Sequence, residues 1–483
     1  MLKTQKQASV LQASGLEAVY RPGPENLQMP LTHYWIASSH NTYLTEDQAK
    51  GPASTCGYIL FLKRYKGGCV EIDPGKIEQR KMPDGSMQND VTVTHLGVPT
   101  GKIWLSDLLV EMRNWLASNR NTQNVVGPII LSFDNKKLKN AQQQAVIWRL
   151  LDKHINMSPS GSFCHQDQVS GCSWYLNPRD VTRGNVAALT PQSLKGKFVI
   201  KWAECESVDS AGKCDDAKAG KGLIPRNVAL AAAAGQKPLP TPVALEKYVH
   251  MPKSKTCKVH EQACAAEEFW QVRSTHKAYK YGKIDMAVVR NTVDNFVRVF
   301  PNPLEAAKIK SGNYAQSGSW LNGAQLVALN TQKQDRYWHV NDAMFRSSPY
   351  RLKPQWMRTP SGQPLPSATL VIQFAESSEP ANQKLKLFHP SGETNSGKSL
   401  KSDRRVTFQS VYPDACFVYA ESEGDFVGAV EIAPSYKDLS GIVRLTLTQW
   451  DRPAKSGVKY MGPNCTYSVK QQKSVLLRFL WSA

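Results

Sequence analysis

The sequence predicts an α/β fold built on a parallel sheet, followed by a separate all-β domain. Two observations lead to this expectation. From residue 29 to about 204, short runs of β-branched and aromatic residues alternate with amphipathic segments, a pattern typical of a parallel sheet that is either open or closed into a barrel. After Pro360 the sequence becomes β-rich for roughly 120 residues, which indicates an independent β domain.

Each apolar run of the α/β region ends in polar residues. The runs are YWIAS (34–38), CVEID (69–73), VTVTH (91–95), IILSFD (129–134) and KFVIKW (197–202). Between them, 105–117 and 140–155 carry apolar side chains at helical spacing, and Ser106 is a candidate N-cap of the first helix. Residues 205–268 break this rhythm and predict a linker or insertion, after which the α/β pattern returns from about 270.

Composition limits the classes of function. The chain has 483 residues, of which 41% are hydrophobic, so a sizeable core is expected. No apolar run reaches the ~18 residues of a membrane span. The net charge of +20 favours anionic partners such as phospholipid surfaces or phosphorylated substrates. A nucleic-acid partner is disfavoured, because no patch of interleaved basic and aromatic residues matches a known module.

The cysteines suggest an oxidising compartment. Three close pairs bracket polar loops, namely Cys164 with Cys172, Cys205 with Cys214, and Cys257 with Cys264. Such pairs are typical of local disulfides, and none has the spacing of zinc ligands. They predict a secreted protein whose leader is missing from this chain, and the alternative is a cytoplasmic protein that binds membranes peripherally.

The polar residues at the strand ends form a candidate site. They are His40, Asn41, Glu71, Asp73, His95, Asp134 and Lys201. The carboxyl ends of strands in a (β/α) barrel meet at one mouth, where active sites form. Carboxylate and amide oxygens suit Ca²⁺, histidines suit proton transfer, and lysine suits a phosphate.

This series of motifs resembles eukaryotic-type phosphoinositide-specific phospholipase C. The resemblance lies in MPLTHYWIASSHNTYLTEDQ, GGCVEID, VTHLGVPTGKIWLSDLL, PIILSFDN and LTPQSLKGKFVIKW, and it resumes in FVRVFPNP, SGNYAQSGSWLNGAQLVALNTQ and PYRLKPQWMR. It implies a distorted (β/α)8 TIM-type barrel split into X and Y halves. The expected organisation is an N-terminal segment 1–28, an X half 29–204, a linker 205–268, a Y half 269–359 and a C-terminal all-β domain 360–483, similar to a C2 sandwich.

The resemblance also implies an activity and residue roles. Inositol phospholipids in anionic membranes would be cleaved, with Ca²⁺ as cofactor, to diacylglycerol and an inositol phosphate through a cyclic 1,2-phosphate. By motif, the catalytic residues are His40, His95 and Glu71, the Ca²⁺ ligands are Asn41, Glu71, Asp73 and Asp134, and the substrate-binding residues are Lys201, Arg298, Phe300 and Ser274. We expect a monomer without a transmembrane segment. The alternative is a non-catalytic inositol-lipid-binding protein, and the presence of both histidines favours the enzyme.

Several positions depart from the family pattern. Asp134 stands for a glutamate, which keeps the charge but shortens the reach of the side chain. Phe300 stands for a tyrosine and keeps the face on which an inositol ring stacks. Ala203 stands for a second phosphate-binding lysine, which favours phosphatidylinositol or its 4-phosphate unless Arg273, Lys277 or Lys280 reaches the substrate. Apolar rim residues are replaced by Ala49, Pro99 and Leu304, for which Trp104 and the positive charge are expected to compensate.

Overall fold

The computed structural model describes most of the α/β region and the β-rich C-terminal region. The described residues are 19–20, 26–45, 53–94, 102–134, 138, 141–155, 174, 176, 181–182, 184–202, 233–234, 251–252, 270–301, 312–359, 361–362, 364, 367–375, 384–389, 397–401, 405–414, 416–432, 440–450, 465 and 469–482. The three predicted cysteine pairs, His95, Ala203 and almost all of the predicted linker lie outside these residues.

The α/β region contains short strands and helices in alternation. Strand β1 (Val19–Tyr20) precedes this region. The strands of the region are β2 (Tyr34–His40), β3 (Gly68–Ile72), β4 (Pro74–Lys81), β5 (Met87–Val93), β6 (Ile103–Trp104), β7 (Ile129–Phe133), β8 (Phe198–Trp202), β9 (Met251–Pro252), β10 (Val272–Thr275), β11 (Phe296–Val299), β12 (Leu326–Asn330) and β13 (Tyr350–Leu352). Its helices are α1 (Cys56–Tyr65), α2 (Leu105–Asn119), α3 (Ala141–Ile155), α4 (Met286–Asn291), α5 (Ser317–Leu321), α6 (Arg336–Phe345) and α7 (Gln355–Arg358).

A parallel sheet carries the mouth of this region. Its strands follow the order β10-β11-β12-β2-β3-β7-β8-β9, and each neighbouring pair is parallel. Strands β2, β3 and β7 are buried along nearly their whole length, as expected for a parallel sheet covered on both faces. The carboxyl ends of these strands therefore lie at one edge, where the sequence predicts the site.

One predicted strand belongs to a different sheet. The run VTVTH was expected to continue the parallel series, but β5 instead forms a small antiparallel sheet with β4 and β6. Gly85, with φ of +86°, provides the tight turn of the β4–β5 hairpin. The hairpin nevertheless returns to the mouth, because Pro74 pairs with Val93 and the Thr94 N–H donates to the Asp73 carbonyl at 3.2 Å. Antiparallel pairing thus brings the end of β5 to the edge expected of a parallel strand.

The two helices predicted in the first half are present with small changes. Helix α2 buries Leu108, Leu109, Met112 and Leu116 on one face, as the spacing predicts. The prediction that Ser106 caps this helix is wrong, since the helix begins one residue earlier, after Trp104. The Ser106 hydroxyl is instead hydrogen-bonded to the Asp90 carboxylate of β5, which ties the hairpin to the helix.

The C-terminal region is an antiparallel sheet, as predicted. Its strands are β14 (Ala368–Phe374), β15 (Leu385–Phe388), β16 (Lys398–Leu400), β17 (Val406–Val411), β18 (Phe417–Ser422), β19 (Phe426–Glu431), β20 (Ser440–Trp450) and β21 (Val469–Ser482), in the order β16-β15-β18-β19-β20-β21-β14-β17. Strand β1 adds to β20 in parallel. A second hydrophobic core, separate from that of the barrel, fills this domain.

Covalent, ionic and polar contacts join the two regions. The Arg351 guanidinium donates to both carboxylate oxygens of Glu431 at 2.7 and 2.9 Å, and both side chains are buried. A disulfide joins Cys56, at the start of α1, to Cys465. Removal of either partner would leave an uncompensated buried charge at the contact between the two regions. Among the described residues, no helix is long and apolar enough to cross a membrane.

The disulfide gives a quantitative test of the cysteine pairing. The chain has ten cysteines, and Cys69 and Cys416 are buried thiols. If the three loop pairs are also oxidised, as predicted, only these two thiols react with Ellman's reagent after unfolding without reductant. If the Cys56–Cys465 bridge alone forms, eight of the ten react. Ten reactive thiols would contradict both the bridge and the secreted localisation.

Candidate metal centre at the strand ends

Three carboxylates converge at the carboxyl ends of β3 and β7. Glu71, Asp73 and Asp134 each place an oxygen within 4.8 Å of the others, and Glu71 and Asp73 are buried. The register explains this arrangement. Glu71 pairs with Ser132 across the parallel strands, so that Asp73 and Asp134, two residues further along, leave the sheet on the same face. The sequence predicts that Glu71 and Asp73 project from the same face of their strand, and this geometry agrees with that prediction.

His40 and Asn41 lie beside this cluster. Asn41 has φ of +48°, a left-handed conformation that ends β2 abruptly, and its backbone N–H donates to Glu71 Oε2 at 2.8 Å. The His40 Nε2 atom lies 3.7 Å from the same oxygen. At this left-handed turn, the His40 imidazole and the Asn41 backbone N–H both face the Glu71 carboxylate.

Two basic side chains compensate the negative charge. Arg298 of β11 is buried, and its Nη2 lies 2.5 Å from Glu71 Oε1. Burial opposes the charge of Arg298, but the neighbouring Glu71 carboxylate raises its pKa above the ordinary value. For Lys201, burial and the nearby Arg298 guanidinium lower the pKa to about 8. Lys201 lies in register with Ser132 of β7, which is in turn in register with Glu71, so all three belong to one edge of the sheet.

The donor set fits a hard divalent cation. Carboxylates this close repel one another unless a positive charge lies between them, and Ca²⁺ prefers such oxygen ligands. The Asn41 side chain is buried, and its Nδ2 has no hydrogen-bond partner among the described residues. Its Oδ1 accepts a hydrogen bond from the Tyr43 hydroxyl at 3.4 Å, and this oxygen is the atom that could coordinate a cation. Asp134 is half-buried and within reach of the other two acids despite its shorter side chain.

The remaining predicted substrate residues surround the cluster. The Phe300 ring lies parallel to the His40 ring, with centroids 6.3 Å apart and an angle of 6° between the planes. Ser274 is exposed and in register with Arg298, so the two side chains leave neighbouring strands on the same face. Nine of the ten predicted site residues lie at or near the carboxyl ends of the parallel strands, and the tenth, His95, lies outside the described residues.

Sequence reasoning missed Asn330, a residue in direct contact with the site. Asn330 ends β12 in register with His40, and its Oδ1 lies 2.9 Å from His40 Nδ1. The Asn330 amide is itself fixed, because Nδ2 donates to the Gly312 carbonyl at 2.8 Å and the backbone N–H donates to Asn313 Oδ1 at 2.8 Å. With Oδ1 as the acceptor, the Nδ1 atom of His40 carries a proton and Nε2 faces Glu71.

Comparison with protein families assigns both halves of the α/β region. The family model described as phosphatidylinositol-specific phospholipase C, X domain, matches residues 27–204, and the model of the Y domain matches residues 245–356. The human protein named inactive phospholipase C-like protein 2 is 27% identical over 69% of this chain and 27% of its own length. The human 1-phosphatidylinositol 4,5-bisphosphate phosphodiesterase delta-1 is 26% identical over 72% of this chain and 44% of its own. The chain therefore spans less than half the length of these curated relatives.

Solved structures agree on the fold. The crystal structure of L. pealei PLC21 aligns with 95% of this chain and 56% of that one, with a TM-score of 0.58 at 18% identity. The structure of S. officinalis PLC21 gives a TM-score of 0.57 at 19% identity. The predicted combination of a distorted (β/α) barrel and a C-terminal all-β domain is confirmed at the level of fold.

Because Arg298 forms an ion pair with Glu71, its guanidinium should compete with a metal ion for this carboxylate. We expect Arg298→Gln to bind Ca²⁺ about tenfold or more tightly, because a cation near Glu71 would no longer be repelled by the guanidinium. Isothermal titration calorimetry measures this affinity, with Asp134→Asn expected to weaken binding. Arg298→Lys keeps the charge and should remain close to the wild type. Unchanged or weaker binding in a folded Arg298→Gln protein would contradict the competition.

Proposed function

Because this chain belongs to the phosphatidylinositol-specific phospholipase C family, we propose that it is a Ca²⁺-dependent phosphoinositide phospholipase C. The reaction is cleavage of phosphatidylinositol or its phosphates to diacylglycerol and an inositol phosphate. The observation that carries this proposal is the placement of His40 Nε2, 3.7 Å from Glu71 Oε2, beside three converging carboxylates. A histidine, a base and a cluster of metal-ligating oxygens are what phosphodiester transfer needs.

The chain's own residues account for the proton movements. The inositol 2-hydroxyl attacks the neighbouring phosphorus and forms the new P–O bond of a cyclic 1,2-phosphate, while Glu71 accepts its proton. In its doubly protonated form, with Nδ1–H held by Asn330, His40 donates a hydrogen bond from Nε2 to the phosphoryl oxygen and stabilises charge on the pentacoordinate transition state. The bond from phosphorus to the diacylglycerol oxygen breaks, and His95 protonates that oxygen as general acid. Water then opens the cyclic phosphate.

Asn41, Glu71, Asp73 and Asp134 would hold the Ca²⁺ ion. When bound there, the cation lowers the pKa of the 2-hydroxyl and neutralises charge on the phosphoryl oxygens. The crowding of these acids at one strand edge supports the assignment. Arg298 holds a positive charge against Glu71 and so limits the repulsion within the cluster.

The substrate proposal rests on the basic and aromatic residues around the cluster. Lys201 and Arg298 suit the phosphates of an inositol headgroup, Ser274 adds a hydroxyl, and Phe300 offers a flat face to the ring. With Ala203 in place of a lysine, phosphatidylinositol or its 4-phosphate is favoured over the 4,5-bisphosphate. We place the enzyme at the surface of anionic membranes as a peripheral monomer, since its net charge of +20 favours such surfaces.

One relative supports the non-catalytic alternative. The human protein named inactive phospholipase C-like protein 2 matches 69% of this chain. The alternative is therefore an inositol-lipid-binding protein with a phospholipase C-like barrel. The presence of both His40 and His95 favours the enzyme, because binding alone requires neither an acid nor a stabiliser of the transition state.

The compartment is a separate proposal. The three cysteine pairs in polar loops favour secretion, and the Cys56–Cys465 disulfide also requires an oxidising environment to form. The alternative is a cytoplasmic protein bound peripherally to membranes, in which these cysteines remain thiols. The number of reactive thiols distinguishes the two.

Hydrolysis of lipid vesicles tests the proposed activity. Vesicles containing phosphatidylinositol, its 4-phosphate or its 4,5-bisphosphate should release inositol phosphates in Ca²⁺ but not in chelator. His40→Ala should lower the rate about 100-fold or more, the usual range for a lost proton-transfer or charge-stabilising group, without weakening vesicle binding. Binding of inositol lipids without turnover in Ca²⁺ would favour the non-catalytic alternative, and turnover in chelator would exclude the metal role.

Substitution of Asn330 should lower the catalytic rate without weakening substrate binding. Asn330→Ala removes the acceptor that fixes His40 Nδ1, so kcat should fall about 10- to 100-fold while KM changes little, since small misplacements of a catalytic group are costly. Asn330→Asp keeps the acceptor but loses the bond to Gly312, and it should retain more activity than the alanine variant. A parallel loss of thermal stability and vesicle binding in Asn330→Ala, with kcat preserved, would instead indicate a purely structural residue.

A further inference from the structure

The turn that follows β2 is hydrogen-bonded to β3 and its end through three successive residues. The Asn41 N–H donates to Glu71 Oε2 at 2.8 Å, and the Thr42 hydroxyl accepts from the Glu71 N–H at 3.0 Å. The Tyr43 hydroxyl then donates to Asp73 Oδ2 at 3.0 Å. Two of the candidate metal ligands are therefore fixed by a turn that itself carries a third, Asn41.

The Tyr43 hydroxyl lies between two of these candidate ligands. Its oxygen is 3.0 Å from Asp73 Oδ2 and 3.4 Å from Asn41 Oδ1. A phenol has a single hydrogen to donate, so its main hydrogen bond goes to the nearer oxygen, that of Asp73. Asn41 follows β2 whereas Asp73 follows β3, and one hydroxyl thus contacts ligands supplied by two different strands.

The position of this hydroxyl is defined by the surroundings of Tyr43. Its side chain is fully buried and belongs to the core of the barrel. The Tyr43 carbonyl accepts from the Ser54 N–H at 2.8 Å. Helix α1 also packs closely on the turn, since a Cβ at Gly57 would lie 1.9 Å from the Thr42 carbonyl oxygen. The hydroxyl therefore approaches the two ligands from a fixed point in the core.

Packing alone does not account for the hydroxyl of Tyr43. A phenylalanine ring would fill the same space in the core, and a buried polar group is costly unless it has a hydrogen-bond partner. Here the partner is the carboxylate of Asp73, which is itself buried. Groups that orient metal-binding side chains in this way tune the affinity of a site as well as its stability.

We propose that Tyr43 is a positioning residue for the bound cation, whose hydroxyl keeps Asp73 and Asn41 at a separation that suits Ca²⁺ better than Mg²⁺. This inference rests on the Ca²⁺ site of the proposed function. Calcium takes oxygen ligands at about 2.3–2.6 Å, whereas magnesium requires about 2.0–2.1 Å, and the rigidity of a site helps to select between them. Movement of either ligand towards the smaller ion would disturb its contact with a hydroxyl that the core holds in place.

Calorimetric titration of the whole protein with Ca²⁺ and with Mg²⁺ tests this role without any turnover. Tyr43→Phe should bind Ca²⁺ about 10- to 100-fold more weakly, the range for loss of a group that orients a metal ligand. Binding of Mg²⁺ should weaken less, because the released ligands can approach the smaller ion, so the preference for Ca²⁺ should fall. Unchanged Ca²⁺ affinity in a folded Tyr43→Phe protein would overturn the proposal.

Tyr58→Phe is the matched control. It removes another fully buried hydroxyl, which lies on α1 and donates to the Glu71 backbone carbonyl at 2.8 Å instead of to a side chain. Thermal denaturation in chelator should show a similar loss of stability in the two variants, whereas the preference for Ca²⁺ should fall only in Tyr43→Phe. Equal falls in both variants would overturn the proposal and leave Tyr43 a purely structural residue.

A double-mutant cycle tests whether Tyr43 acts through Asp73. In an Asp73→Ala background, Tyr43→Phe should cause little further loss of Ca²⁺ affinity, because the carboxylate that the hydroxyl holds is already absent. Full and additive losses would overturn this route. Failure of the wild-type protein to bind Ca²⁺ would overturn the metal site of the proposed function together with the inference, whereas wild-type binding with no change in Tyr43→Phe would overturn the inference alone.

Discussion

The constraint on which the site depends is the crowding of three carboxylates at one edge of a parallel sheet. At the separations seen among Glu71, Asp73 and Asp134, each pair of charges repels by about 3 kcal/mol at an effective dielectric constant near 20. Buried acids are stable under such repulsion only when cations or hydrogen-bond donors face them. Arg298 and the Asn41 N–H serve this purpose for Glu71. These two contacts explain how the buried Glu71 carboxylate is accommodated beside the other acids.

The fold produces the crowding through strand register. In a parallel pair, residues in register leave the sheet on the same face, so Glu71, Ser132 and Lys201 line up across β3, β7 and β8. The same rule places Asn330 against His40 across β12 and β2. A shift of one residue in any of these pairs would reverse the faces and disperse the site. The buried apolar residues of these strands are what hold the register, and this links the core directly to the chemistry.

The local patterns of the sequence predict much of this and fail at identifiable places. Strand period predicted the face shared by Glu71 and Asp73, and the helical spacing of apolar residues predicted the helices after β6 and β7. The parallel assignment of VTVTH was wrong because its partner, β4, is a polar strand with no apolar alternation to reveal it. Asn330 was missed although it ends an apolar strand as the other site residues do, since its role depends on His40, 290 positions away in the chain. Ser106 failed as a cap because the carboxylate of Asp90, distant in sequence, takes its hydroxyl.

The distribution of charge around the mouth suggests how a headgroup would be oriented. The acids occupy the ends of β3 and β7, whereas Ser274 and Arg298 lie on β10 and β11. An inositol phosphate is itself divided into hydroxyl and phosphate groups. In the proposed reaction, its phosphates would be attracted towards the basic residues, and a hydroxyl would face Glu71 and the acids. The Phe300 ring, which lies parallel to the His40 ring, would offer a flat face to the inositol ring and restrict its remaining freedom. Orientation of this kind converts binding energy into the alignment that an internal nucleophile needs.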